Sequence, residues 1–171
     1  MTSTPALVIN TSNAPIVKAS IDRRAVGSKD VRVAIAYSGI CHSDVHQARS
    51  EWGSDIFPMV PGHEIVGHVV EVGSGVTKFK VGQAVGVGVF VNSCRECDAC
   101  KSNLESYCDK GPVGAYNGHD YNGEVQYGGY SKEIVTDEHF VVSIADGVDL
   151  AECAPLLCAG ITVYSPLKHW K

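Results

Sequence analysis

The chain has 171 residues and a formal charge of −5, from 14 basic and 19 acidic side chains; 44% of it is hydrophobic and 19% charged. That composition excludes a disordered chain, and the mild acidity gives no reason to expect a nucleic acid or an anionic membrane as partner. No apolar run is long enough to cross a bilayer, and residues 1–17 lack the basic and apolar regions of a secretion signal, so a soluble, cytoplasmic protein is expected.

In chain order, the first thirty residues mix small and polar types and predict no element. Residues 31–37 (VRVAIAY) are rich in β-branched types and read as a strand. A short helix is expected over 43–49, with Ser43 or Asp44 as its N-cap. Residues 51–61 contain two prolines and read as irregular. A second strand is predicted over 65–72, closed by the turn Gly73-Ser74-Gly75, and a third over 83–92, loosened by Gly86 and Gly88. A cysteine-rich loop follows, then a long polar loop over 111–129 with six glycines. Further strands are predicted over 130–136 and 139–144. Asp149 reads as the N-cap of a helix over 150–163. Short strands joined by glycine turns predict a mainly β fold, a partly open antiparallel barrel.

Seven cysteines are an awkward number for a disulfide framework. Four of them, Cys94, Cys97, Cys100 and Cys108, fall in fifteen residues as C-x2-C-x2-C-x7-C. In a reducing compartment such a cluster reads as a metal site before it reads as disulfides. Four thiolates on one loop suffice to enclose a tetrahedral Zn2+. A redox pair would need two cysteines at a strand-to-helix junction. An iron–sulfur cluster is the main rival, although the ferredoxin spacing C-x2-C-x2-C-x3-C-P is not met.

Residues 62–76 (GHEIVGHVVEVGSGV) fit the pattern G-H-E-x2-G-x5-G-x2-V. This resembles the signature of zinc-dependent medium-chain alcohol dehydrogenases. The segments GICHSDVH (39–46), the four-cysteine loop and PLLCAGITVYSPLKHW (155–170) are similar to that family's other zinc segments, in the same order. The likeness is greatest to its cinnamyl-alcohol-dehydrogenase-like branch. It implies a GroES-like catalytic domain over 1–171, with a structural-zinc loop at 93–109. A C-terminal helix over 149–171 would lead to a Rossmann cofactor domain that lies outside this chain.

The resemblance implies Cys41, His63 and Cys158 as ligands of a catalytic zinc and the four-cysteine loop as a second, structural site. Three protein ligands with one open position are what catalytic zinc needs. Ser43 and His46 would relay the alcohol proton, and Asp44 would hold the His63 ring. Glu64 would be an occasional extra ligand. Taken singly, each of these residues has an ordinary structural reading: a buried thiol, a satisfied histidine or a helix cap. Cys153 is left over and is expected to be a buried helical thiol. Trp52 and Phe90 are candidate pocket aromatics, with Glu51 and Val113 nearby.

The implied reaction is reversible oxidation of a primary alcohol to an aldehyde, with zinc stabilising the alkoxide and NAD(P) accepting hydride. No G-x-G-x-x-G opens a helix after a strand in these 171 residues, so the cofactor domain is not here. The chain alone is therefore expected to be inactive, while the complete enzyme would be a homo-oligomer acting on a small alcohol or aldehyde. The alternative is a stand-alone, non-catalytic zinc-binding module.

Overall fold

The computed structural model describes residues 1–53 and 55–170. A five-stranded antiparallel sheet forms its centre, in the order β8-β3-β4-β5-β9. The strands are β3 (Asp30–Ser38), β4 (Ile65–Val72), β5 (Ala84–Val87), β8 (Glu133–Asp137) and β9 (Val141–Ser143). The sheet curls into the expected partly open barrel. Val31, Val33, Ile65, Val69, Val85, Val87, Ile134 and Val141 fill its interior, all nearly inaccessible. These β-branched residues suit a pleated surface with one face against the core. Gly67 on β4 faces β3 so closely that a Cβ there would overlap the Ala34 carbonyl oxygen.

The element predictions require several corrections. The first thirty residues form a hairpin, β1 (Thr2–Val8) against β2 (Val17–Arg23). The single strand expected over 83–92 is two strands in different sheets. β5 pairs with β4 and β9, whereas β6 (Phe90–Asn92) pairs with β7 (Val113–Gly114), which lies within the expected polar loop. The break falls at Gly88-Val89, where the chain passes close to Leu157 O. The strand expected from 130 begins at Glu133, and the one expected from 139 begins only after a 3-10 turn at Glu138–Phe140.

The C-terminal helix is broken. Asp149 does cap α3 (Leu150–Cys153), its carboxylate accepting from Ala151 N at 2.7 Å. A 3-10 turn at Ala154–Leu157 then gives way to α4 (Ala159–His169), with a bend of 58° between the two halves. Pro155 in the turn removes one helical donor, and Cys158 sits at the bend. Cys153 is partly rather than fully buried. Among the described residues no single helix is long and apolar enough to cross a membrane. Lys171, the last residue of the expected 149–171 segment, lies outside the described residues.

Candidate metal centre

Two groups of donors gather among the described residues. In each, the ligand atoms lie within 4.8 Å of one another: Cys94, Cys97, Cys100 and Cys108 in one, Cys41, His63 and Cys158 in the other.

The four-cysteine group is built by short-range geometry. Cys97 caps α2 (Asp98–Lys101), its sulfur accepting from Cys100 N at 3.5 Å. Cys94 Sγ accepts from Cys97 N at 3.5 Å, and Cys108 Sγ from Cys94 N at 3.4 Å. Backbone donors on sulfur favour thiolates. Led by the Cys94 N–H, they bring Cys108 down to about 6. Against the hydrogen bond to Ser93, burial and the neighbouring Cys97 and Cys108 sulfurs push Cys100 up to about 11. Cys94 and Cys100 sulfurs stand 3.9 Å apart, near the roughly 3.8 Å edge of a tetrahedron with ~2.3 Å Zn–S bonds, and about twice a disulfide bond.

The second group depends on long-range folding. Cys41 follows β3 and is the N-cap of α1 (His42–Ala48), displacing the expected Ser43 or Asp44. Asp44 instead occupies the third helical position, and its carboxylate reaches back to accept from Cys41 N at 3.0 Å. His63 precedes β4, and Cys158 comes from the bend before α4. Cys41 and Cys158 sulfurs are 4.0 Å apart, again too far for a disulfide and close to a tetrahedral edge. Burial, and then the charge of Cys41, pushes the Cys158 thiol up to about 11. Burial also opposes ionisation of Cys41, but its hydrogen bonds to Ser43 and the neighbouring His63 outweigh it and lower that thiol. Two thiolates this close repel each other unless a cation lies between them. The donor set of two sulfurs and one imidazole fits Zn2+.

Asp44 is almost fully buried and collects four donors. Its Oδ1 lies 3.1 Å from both His63 Nδ1 and Gly62 N, while its Oδ2 accepts from Cys41 N and from the Tyr130 hydroxyl, each at 3.0 Å. Burial works against the carboxylate, but the His63 hydrogen bond leads a set of donors that holds Asp44 below the usual range. Asp44 in turn raises His63 against the effect of burial.

A cleft of about 200 Å3 opens beside these groups, lined by Ser43, Gln47, Trp52, His63, Tyr116 and Cys158, among others. Phe90, Glu51 and Val113 do not line it; their chain neighbours Val89 and Gly114 do. Ser43 Oγ is 3.6 Å from Cys41 Sγ. His46 lies outside the lining, its Nδ1 hydrogen-bonded to the Glu51 carboxylate and its ring stacked on Trp52 at 4.9 Å. Glu64 is buried and outside the donor group, with Oε1 3.4 Å from Ala159 N at the start of α4. Sequence reasoning missed Tyr116, whose ring stacks on His63 at 5.9 Å, and Tyr130. Neither carries a local motif.

The family profile for the alcohol dehydrogenase GroES-like domain matches residues 27–146. The chain belongs to that family. It is 55% identical over 171 residues to NADP-dependent alcohol dehydrogenase C 1 of Mycolicibacterium smegmatis, covering 99% of this chain and 49% of that protein. It is 53% identical over 167 residues to the probable formaldehyde dehydrogenase AdhA of Bacillus subtilis, covering 98% and 48%. Among solved structures, the cinnamyl alcohol dehydrogenase SbCAD4 of Sorghum bicolor superposes with a TM-score of 0.96 at 42% identity, covering 99% of this chain and 48% of that one. CAD from Helicobacter pylori, solved with NADP(H), superposes at 0.95 and 48% identity, covering 98% and 48%. This GroES-like chain spans about half the length of the curated relatives it matches.

Proposed function

We propose that residues 1–171 are the zinc-binding catalytic domain of an NADP-dependent alcohol dehydrogenase that interconverts a primary alcohol and its aldehyde. The observation that carries this reading is the convergence of Cys41, His63 and Cys158, from three separate elements, beside one cleft. These residues would hold the catalytic Zn2+, and Cys94, Cys97, Cys100 and Cys108 of the 93–109 loop a structural one. A bound Zn2+ would supply Lewis acidity toward an alcohol or aldehyde oxygen.

The remaining work falls to this chain's side chains. Asp44 fixes the His63 tautomer, so that the other ring nitrogen is free to ligate. Ser43 offers its hydroxyl at the cleft as first acceptor of the substrate proton. His46 passes that proton outward and is oriented by Glu51, whose carboxyl its hydrogen bond holds below the ordinary range. Glu64, packed against the start of α4, is the reserve ligand. Trp52 forms one wall of the cleft. NADP would be held outside these residues, by a domain reached through the 149–171 segment, in a soluble enzyme that assembles as a homo-oligomer.

Elemental analysis after desalting tests the metal assignment. Two Zn2+ per chain are expected, falling to one in Cys41→Ala. Aldehyde-dependent NADPH oxidation by the complete protein tests the reaction, and the 171-residue chain alone is expected not to turn over. If the complete protein binds both metals yet oxidises no NADPH with any aldehyde, a non-catalytic zinc module becomes the better reading.

A further inference from the structure

The Tyr130 hydroxyl donates to Asp44 Oδ2 at 3.0 Å, on the oxygen that His63 does not use. Tyr130 is far from the metal donors in sequence and belongs to none of the metal-binding segments. Its position is nevertheless tightly determined. Gly128 N, Gly129 N and Tyr130 N donate to Val60 O, Gly62 O and Pro61 O at 2.7, 2.8 and 2.9 Å. The 128–130 arch therefore runs directly along the three residues that deliver His63. Leu7 N of the N-terminal hairpin donates to Tyr130 O at 2.8 Å from the other side.

Arg23, at the end of β2, locks the same arch from beneath. Its guanidinium is buried and donates to Tyr127 O at 2.5 Å, Gly128 O at 2.9 Å and Ser131 Oγ at 2.8 Å. A buried cation held by neutral acceptors is a costly arrangement for stability alone. Here it holds the two carbonyls and the hydroxyl that frame Tyr130. Gly62 is required at the contact, because a Cβ there would crowd the Tyr130 ring and Gly129 N.

We infer that Tyr130 is a positioning residue for the metal centre. Held by the Arg23-clamped arch, its hydroxyl fixes the Asp44 carboxylate in the rotamer that orients His63. Without that hydroxyl, Oδ2 would keep only the Cys41 N–H while Oδ1 kept His63 and Gly62, so the plane of the carboxylate, and with it the His63 ring, would gain freedom. The hydroxyl removes that freedom without touching metal or substrate. The inference rests on the proposal that Cys41, His63 and Cys158 bind a metal. Outer groups that hold a ligating histidine typically contribute 10–100-fold in metal affinity.

The test uses the complete protein loaded with Co2+ or Zn2+, comparing wild type, Tyr130→Phe, Asp44→Asn and the double variant. Tyr130→Phe is expected to release the three-ligand metal to a chelator roughly tenfold faster and to shift the visible Co2+ bands of that site. The metal of the four-cysteine loop should be released at the wild-type rate. The double variant should release no faster than Asp44→Asn alone, since Tyr130 acts through Asp44. If Tyr130→Phe fails to fold, Arg23→Lys, which loosens the arch but keeps the hydroxyl, must show the same Co2+ shift in milder form. Unchanged release and spectra in the variant that folds would overturn the role of Tyr130. A wild-type protein that holds metal only at the four cysteines would overturn the metal reading, and this inference with it.

Discussion

The two cysteine groups have similar sulfur spacings, 3.9 Å in one and 4.0 Å in the other, but they are assembled in opposite ways. All four donors of the lobe fall within fifteen residues, and consecutive N–H···S contacts bend the loop around them. In the other group, 22 residues separate Cys41 from His63 and 95 separate His63 from Cys158. Closing the longer spans costs more chain entropy, and the sheet must bear that cost. The four-cysteine group is thus assembled by local chain geometry, whereas the three-donor group exists only through the tertiary fold.

The largest effect should come from the lobe. Cys100→Ser removes a buried sulfur from the proposed structural zinc site, and such sites supply folding free energy directly. Most of the soluble protein should be lost, or the thermal midpoint should fall by more than about 10 °C, read by circular dichroism. Cys41→Ala should move that midpoint by only a few degrees while losing one metal. Equal destabilisation by the two substitutions would break the distinction drawn here.

Gly67→Ala should come next. Its methyl group would collide with the Ala34 carbonyl in the middle of the β3–β4 pairing. Forcing those strands apart should cost about 2–4 kcal/mol in urea unfolding. Because the barrel presents His63, metal at the three-ligand site should be lost at lower urea than metal in the lobe.

A smaller effect is expected at the foot of the sheet, where Asp30 accepts from Nη1 and Nη2 of Arg24 and from Gly27 N at 2.6 Å. Burial opposes the carboxylate, but the Arg24 hydrogen bonds outweigh it and lower Asp30. A carboxyl lowered in the folded state contributes stability above its unfolded value near ~3.9, and loses it as pH falls through the folded one. Asp30→Asn should therefore be less stable than wild type by roughly 1–3 kcal/mol at pH 7, with the gap closing below about pH 4. A gap independent of pH would show that the charge is not what Asp30 contributes.

The smallest effect should be at the contact between lobe and barrel, where His139 Nε2 meets Glu105 Oε1 at 2.5 Å and Arg95 pairs with Asp137 at 3.1 Å. His139→Ala should cost no more than about 1 kcal/mol, as exposed pairs do. It should also leave metal release from both sites unchanged, if the lobe holds itself together.

Strands with β-branched runs were readable from sequence, and β4 was placed to the residue. The β1–β2 hairpin was not, because its pattern is inverted: Thr4 and Ala6 face inward while Leu7 is 40% exposed. Period-two reasoning finds a strand by its large apolar residues, and two of the three residues buried on β1, Thr4 and Ala6, are small, leaving only Val8 to mark it. The kink at Cys158 was equally hidden. Residues 150–163 carry a continuous helical pattern, and the bend lies beside Pro155 and Leu157, whose side chain packs against Gly86 of β5.

The donor positions divide along the same line. Chemistry and spacing were enough to single out the four lobe cysteines, because local chain geometry brings them together whatever the rest of the molecule does. Cys41, His63 and Cys158 could be named only segment by segment, through resemblance, because nothing in their spacing makes them neighbours. The Asp44–His63 contact could be named through the same resemblance, whereas Asp44's bonds to Gly62 N and the Tyr130 hydroxyl, the Tyr130 arch and the Arg23 clamp had no sequence signal. They are hydrogen bonds between residues up to 123 positions apart, and such contacts exist only after the hairpin, arch and barrel have folded onto one another.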